Sequence, residues 1–214
     1  MASDALDPVL RQQDVWNWEY RKKGKLWGKV PLEPTAYSEN GVFLDLGCGN
    51  GKNLQRKKFQ YSHRIGVDFS YQALSLLRKN TELDDVACVC ADVTLLPIHS
   101  DSVHCADAHH VIGHLLAHDR TCAANEISRV LAPNASLLVT VFGTGDFRSG
   151  RGKEIEHGTY LRGNGIFTHY FSPEELKSLF PAMALVTKEK ISWFMKIKGC
   201  SYLREIWVIW FTKI

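Results

Sequence analysis

Three apolar runs in the first half of the 214-residue chain each finish on an aspartate, at Asp45, Asp68 and Asp92. A single aspartate in such a place is commonly a helix N-cap, because its short side chain satisfies the open N–H groups of a first turn. Three of them at the spacing of βα units are hard to explain by capping alone. Apolar runs and amphipathic stretches also alternate along the chain, which specifies a parallel sheet covered by helices on both faces.

The first run leads into a glycine loop, LDLGCGNGKNL, Leu44 to Leu54. An apolar strand that meets small residues ahead of a helix brings backbone close to a ligand where unpaired N–H groups collect. A nucleotide-type cofactor suits that place; an ordinary strand-to-helix turn is the bland alternative. The dinucleotide pattern G-x-G-x-x-G would need glycine at position 52, but the chain has Lys52 there and its third glycine one residue early, at Gly51. Asp45, ahead of Gly47, would aim a carboxylate at something cationic, an ammonium or a sulfonium rather than a pyrophosphate. Asp68 stands 17 residues past Gly51, where a Rossmann-type unit carries the acid that binds ribose hydroxyls.

In these stretches the chain resembles the class I S-adenosylmethionine-dependent methyltransferases over roughly residues 40 to 214. LDLGCGNGKNL resembles that family's first motif, IGVDFS its second, CADVTLLPI its third and SVHCADAHHVIGHL its fourth. The resemblance implies a Rossmann-like three-layer αβα sandwich whose seven-stranded, mostly parallel sheet ends in an antiparallel hairpin. It also implies S-adenosyl-L-methionine as cofactor and S-adenosyl-L-homocysteine as product. Carried across, Asp45 and the loop Gly47, Cys48, Gly49, Asn50 and Gly51 would hold the methionine part. Asp68, with Phe69 beside it, would take the ribose, Asp92 and Val93 the adenine, and the backbone near His109 the ammonium. The likeness is greatest to small stand-alone enzymes of the "type 11" kind. A weaker one, through GCGNGK and HYFSPEEL, points to tRNA wobble-uridine methyltransferases. The chain departs from the family at His104, where an acid is usual, at Asp107, where a buried aliphatic is usual, and at Pro133-Asn134-Ala135, where Asn134 would serve a left-handed turn.

With 45% apolar and 23% charged residues, one domain with a full core is expected. The reading is an N-terminal helical lid over residues 1–40 and a single domain over 41–214 with a substrate-recognition insert at 143–171. The lid holds a helix from Asp14 to Lys23. Ser70 and Asp119 would cap helices, Ser172 with Glu175 would form a capping box, and Ser136–Phe142, Ala184–Ile191 and Glu205–Thr212 would be the last strands. No run of 18 apolar residues and no signal-peptide pattern occurs, so a cytoplasmic protein without membrane contact is expected. Six cysteines without a C-x-x-C pair read as core thiols, Cys88, Cys90 and Cys105 among them, with no metal site.

Methyl transfer from a sulfonium is an in-line displacement, so a base is needed only where the nucleophile arrives protonated. His109, His110 and His114 follow the fourth strand; His110 is the candidate base and His114 a substrate contact or a support for the local turn. From the insert, His169 and Tyr170 would orient the accepting atom, and Arg162 with Asn164 would bind substrate. Phe167, Tyr170 and Phe171 could equally plug the sheet edge. Trp27 would close over the pocket or simply pack the lid. Arg162 could clamp a carboxylate or a phosphate, and the chain's size and the absence of appended domains favour a small, acidic acceptor. Tracts at Lys52–Arg64 and Lys188–Lys198 leave tRNA as the alternative, with a small activator subunit possible, although such runs are often solvated faces. Otherwise a monomer or homodimer is expected. An NAD-dependent oxidoreductase and a non-catalytic scaffold are the remote readings.

Overall fold

The computed structural model describes residues 8–24, 26, 41–56 and 61–214. Its strands are β1 (Val42–Leu46), β2 (His63–Asp68), β3 (Ala87–Cys90), β4 (Val103–His109), β5 (Leu131–Phe142), β6 (Lys153–Glu156), β7 (Thr159–Leu161), β8 (Phe167–His169), β9 (Met183–Ile197) and β10 (Cys200–Lys213). The helices are α1 (Pro8–Lys23), α2 (Lys52–Arg56), α3 (Tyr71–Leu77), α4 (Ala117–Val130) and α5 (Pro173–Leu179). Seven strands form one sheet in the order β3-β2-β1-β4-β5-β10-β9, and β6, β7 and β8 form a small second sheet within the insert. The first five strands run parallel, and β10 pairs antiparallel with both β5 and β9.

β1 shows why both faces are covered. Phe43 packs with Leu54, Leu74 and Leu77 on the side of α2 and α3. Its neighbours Leu44 and Leu46 point the other way, into Ala123, Ile127 and Val130 of α4 and Leu176 of α5. All three β1 side chains are fully buried, and each contributes about 1.5–3 kcal/mol by leaving water. A strand buried on both sides belongs at the centre of an α/β sheet.

The chain runs from β1 through β2 to β3 towards one edge, then returns to β4 on the other flank of β1. Crevices in open α/β sheets form at the carboxyl ends of strands where the order reverses in this way. Here the register sets Asp45 opposite Asp107 and Leu46 opposite Ala108 at that point. α1 lies across the crevice and is fastened on both sides. Its Gln12 amide donates to the Gly165 carbonyl in the insert, and its Gln13 amide donates to the Phe69 carbonyl. Asn17 Oδ1 accepts from the Ser70 hydroxyl. Trp16 and Tyr20 complete a small core with Ala73 and Ile166.

Several local expectations change. α1 begins at Pro8 rather than Asp14. Ser70 caps α3 as expected, accepting from the Ala73 N–H. Asp119 does not cap α4: the helix starts two residues earlier, and Glu156 of β6 accepts from the Ala117 N–H at 3.0 Å, a cap supplied from the insert. Ser172 caps α5, but Glu175 turns its carboxylate to His169 instead of closing the box. Asn134 takes the left-handed turn, at φ 64°, as a bulge inside a longer β5. The closing hairpin is also longer than its apolar pattern predicts, because β9 and β10 continue past the sheet they leave. Cys105 is buried, but Cys90 is exposed on the edge strand β3. Arg64 leaves the basic tract for the interior, where both oxygens of Asp85 receive its guanidinium. Trp27, Lys57 and Lys58 lie outside the described residues. No described helix is long and apolar enough to cross a membrane, and no described cluster of His, Cys, Asp and Glu could hold a metal ion.

Candidate active site

The glycine loop leaves β1 in a left-handed path, with Gly47, Gly49 and Gly51 at φ 65°, 55° and 83°. Close approach adds a second demand. A Cβ at Gly49 would stand 2.5 Å from the Tyr20 hydroxyl of α1, and one at Gly51 would stand 2.5 Å from Leu83 Cδ1. Gly51 therefore lets α2 begin at once against the core beneath it, which is why the third glycine comes early. The Gly49 N–H donates to Asp68 Oδ2 at 2.9 Å and the Ser70 N–H to Asp68 Oδ1 at 2.8 Å, so the end of β2 holds the loop in place.

Asp45, Asp68 and Asp92 differ in environment. Asp45 is fully buried, with the Asn53 side chain as its hydrogen-bonding neighbour. Burial pushes its carboxyl up to about 7, helped by the neighbouring Asp107 and opposed by His109. Asp68 rises to about 6, also by burial, with the Ser70 and Gly49 N–H groups pulling it back. Asp92 is half-buried and folds into a local turn, accepting from the N–H and hydroxyl of Thr94, both at 2.8 Å. Each oxygen of a carboxylate has two lone pairs, so Asp68 and Asp92 keep acceptor capacity for a ligand.

These groups line one cavity. Gly47, Cys48, Gly49 and Asn50 form its floor, Asp68, Phe69, Asp92 and Val93 one side, and His109, His110 and His114 the other. Trp16 and Tyr20 of α1 and Phe167 of the insert close it over. Gly51 and Asp45 do not line it.

The three histidines have separate tasks. His109 Nδ1 lies 3.0 Å from the Thr140 hydroxyl, and its Nε2 lies 3.5 Å from Asp107 Oδ2. Asp107, unexpected in a core strand, is thus a buried partner for a cavity histidine. His114 donates from Nδ1 to the Phe167 carbonyl at 2.6 Å, since a carbonyl can only accept. Burial lowers it to about 4, and it meets Trp16 edge-on with ring centres 5.0 Å apart. His110 occupies a left-handed backbone position at φ 59°, rare for a residue with a Cβ. Its ring stacks on Phe142 at 4.4 Å, and burial keeps it well below the ordinary imidazole range.

The insert residues do not join them. His169 is buried, with Nδ1 2.7 Å from the Thr159 hydroxyl and Nε2 2.8 Å from Glu175 Oε1, so both ring nitrogens serve the fold. Tyr170 packs between Phe142 and Tyr160. Arg162 Nη1 donates to the Arg148 and Arg151 carbonyls, and Asn164 Oδ1 accepts from the Ile166 N–H, each stabilising a turn of the insert. None of these four lines the cavity. The residues that sequence reasoning passed over are Thr140, Phe142 and Arg204. Arg204 is held by Asp146 at 2.5 Å and lies 4.7 Å over the Phe142 ring, behind His110. A lone Thr, Phe or Arg in a strand gives no signal of that role.

Residues 44–139 match the family described as a methyltransferase domain. Among curated relatives, the chain is 28% identical over 156 residues to the Gallus gallus tRNA N(3)-cytidine methyltransferase METTL2, covering 66% of this chain and 42% of that one. It is 30% identical over 142 residues to the Mus musculus tRNA (carboxymethyluridine(34)-5-O)-methyltransferase ALKBH8, covering 65% of this chain and 20% of that one. It thus spans less than half the length of either relative. Among solved structures, the Burkholderia thailandensis 1,6-didemethyltoxoflavin-N1-methyltransferase with bound S-adenosylhomocysteine superposes with TM-score 0.68 at 16% identity, covering 100% of this chain and 93% of that one, a likeness of fold.

Proposed function

We propose, on the premise that this chain carries an S-adenosylmethionine-dependent methyltransferase domain, that it methylates a pyrimidine nucleotide of tRNA at an atom whose lone pair carries no proton. The donor fits the site: the Asp68 and Asp92 carboxylates on the cavity wall keep acceptor capacity for hydroxyl and amino groups, and the glycine loop brings backbone to the cavity floor. In this reading Asp45, the loop and the backbone at His109 hold the methionine part, Asp68 and Phe69 the ribose, and Asp92 and Val93 the adenine. The bound donor supplies a methyl carbon already activated by the sulfonium. The chain's own work is then alignment and exclusion of water, which α1 performs with Trp16 and Tyr20.

The observation that carries the acceptor is the wall behind His110. His110 and His114 are held neutral, so neither is a strong base at neutral pH. A nucleophile that brings its own lone pair needs none, and the atoms in the two relatives' names, N3 of a cytidine and the oxygen of a carboxymethyl group, are of that kind. His110 lines the cavity with its ring fixed from behind by the buried Phe142 and, beyond it, Arg204, and a fixed flat ring suits a flat base. A small acid finds less: among the described lining residues Lys52 of the donor loop is the one Lys or Arg, and Arg162 is spent on carbonyls. Incubating the protein with radiolabelled donor, once with total tRNA and once with a small-molecule extract, tests the reading. Label in a pyrimidine nucleoside of digested tRNA supports it. Label confined to the small-molecule fraction overturns it.

A further inference from the structure

We infer that the far end of the β9–β10 hairpin is the grip for the RNA strand that leads to the cavity, an inference that rests on the tRNA reading above. β10 pairs with β5 only from Ile206 to Thr212. From Cys200 to Glu205 its strand partner is β9, over Ser192 to Ile197, so the ribbon extends beyond the seven-stranded sheet, with the Leu203 and Glu205 carbonyls accepting from the Phe147 and Gly143 N–H groups. A two-stranded ribbon normally hides its apolar side chains to survive. This one displays them, with Trp193 41% and Phe194 71% exposed.

Charge identifies the occupant. Between Ser192 and Glu205 the sequence has three basic residues, Lys196, Lys198 and Arg204, against one acid, Glu205, and Lys188 and Lys190 precede them on β9. Arg204 is buried against Asp146, so the charge the ribbon exposes is that of Lys196 and Lys198, continued along the edge strand by Lys190 and Lys188. Lysines along the free edge of β9 also oppose pairing with the same edge of a second copy. Trp193 and Phe194, being successive strand residues, face opposite sides of the ribbon. That arrangement suits a strand wrapped around the ribbon better than a flat bilayer. The ribbon is also continuous with the site. The Arg204 guanidinium lies 5.6 Å over the Trp193 ring and 4.7 Å over Phe142, and Phe142 stacks on His110 at 4.4 Å. A second row runs alongside, with Phe147 and Tyr202 4.8 Å apart and Arg151 over both. The buried Arg204 and Phe142 tie the ribbon to the cavity wall, while the exposed Trp193 and Phe194 are rings of the kind on which single-stranded bases stack as phosphates meet lysines.

The test is fluorescence anisotropy of the full chain with end-labelled total tRNA across a salt series, for wild type, Trp193→Ala/Phe194→Ala and Lys196→Gln/Lys198→Gln. S-adenosylhomocysteine titration of each variant reports that the cavity is intact. The aromatic pair should weaken tRNA binding at least tenfold at fixed salt. The lysine pair should flatten the plot of log affinity against log salt by roughly 1–2. Wild-type tRNA binding by both variants overturns the inference. So does a loss that appears instead against phosphatidylserine vesicles, or only in the mass of a dimer. Hairpin-dependent binding of a tRNA that gains no methyl group would uphold the grip and defeat the proposed function. Methylation indifferent to the hairpin would do the reverse.

Discussion

Asp45→Asn should make the donor-free protein more stable and the donor-bound protein harder to form. Asp45 is fully buried, and that burial raises its carboxyl from 3.8 to about 7. At 1.36 kcal/mol per pH unit, a fully ionised Asp45 costs the native state about 4 kcal/mol. A carboxyl raised on folding lends stability below its unfolded value and loses it as pH climbs through the folded one. The cost is therefore about 4 kcal/mol at pH 8 and falls by about 2–3 kcal/mol at pH 5, where most of the native carboxyl is protonated. Asparagine keeps the shape and never ionises. Urea unfolding of the donor-free protein should thus place the variant above wild type by up to about 4 kcal/mol at pH 8, the gap narrowing towards pH 5. Calorimetry should show S-adenosylmethionine binding weakened about tenfold or more, about 1.4 kcal/mol, since the cation loses its counter-charge. A variant less stable than wild type at pH 8, or a gap that ignores pH, would refute the reasoning.

Asp68→Ala should weaken S-adenosylhomocysteine binding by about 1–3 kcal/mol, since hydrogen bonds to a charged acceptor are lost; unchanged affinity in titration calorimetry would show that the ribose assignment is misplaced. His110→Ala should lower turnover more than donor affinity, because the ring borders the acceptor side of the cavity and stacks on Phe142; steady-state kinetics alongside donor titration would reveal the opposite pattern if the ring served only the donor. His169→Ala should cost about 1–3 kcal/mol of stability by leaving the Thr159 and Glu175 contacts unmade. Thermal unfolding measures it, and lost turnover in a fully folded variant would return His169 to the chemistry.

The donor half of the molecule was legible because its signals are local. A left-handed glycine, a strand ending on an acid and a serine ahead of an apolar stripe each act within a few residues. Hence Gly49, Asp68 and Ser70 stand where their spacing put them. Local rules failed where a distant group took over a local task. α4 needs no Asp119 cap because Glu156 arrives from 39 residues away. Glu175 leaves its capping box because a buried imidazole, His169, competes for its carboxylate. Arg64 reads as part of a surface tract, and only the fold brings Asp85 against it.

The acceptor half was opaque for a deeper reason. His110, Phe142, Arg204 and Trp193 are spread over four strands or strand ends, and only sheet order and register unite them. β4 and β5 are parallel neighbours, which sets Phe142 just beyond the His109–Thr140 pairing. β10 runs antiparallel against β5 with Ile206 opposite Phe142, so Arg204 falls two residues past the end of that ladder, on the same side of the strand as Ile206. β9 in turn sets Trp193 opposite Arg204. A shift of one residue in either hairpin pairing would send Arg204 or Trp193 to the other side and dissolve the stack. The proposed donor site depends on residue types at fixed spacing, whereas the surface proposed for the acceptor depends on register.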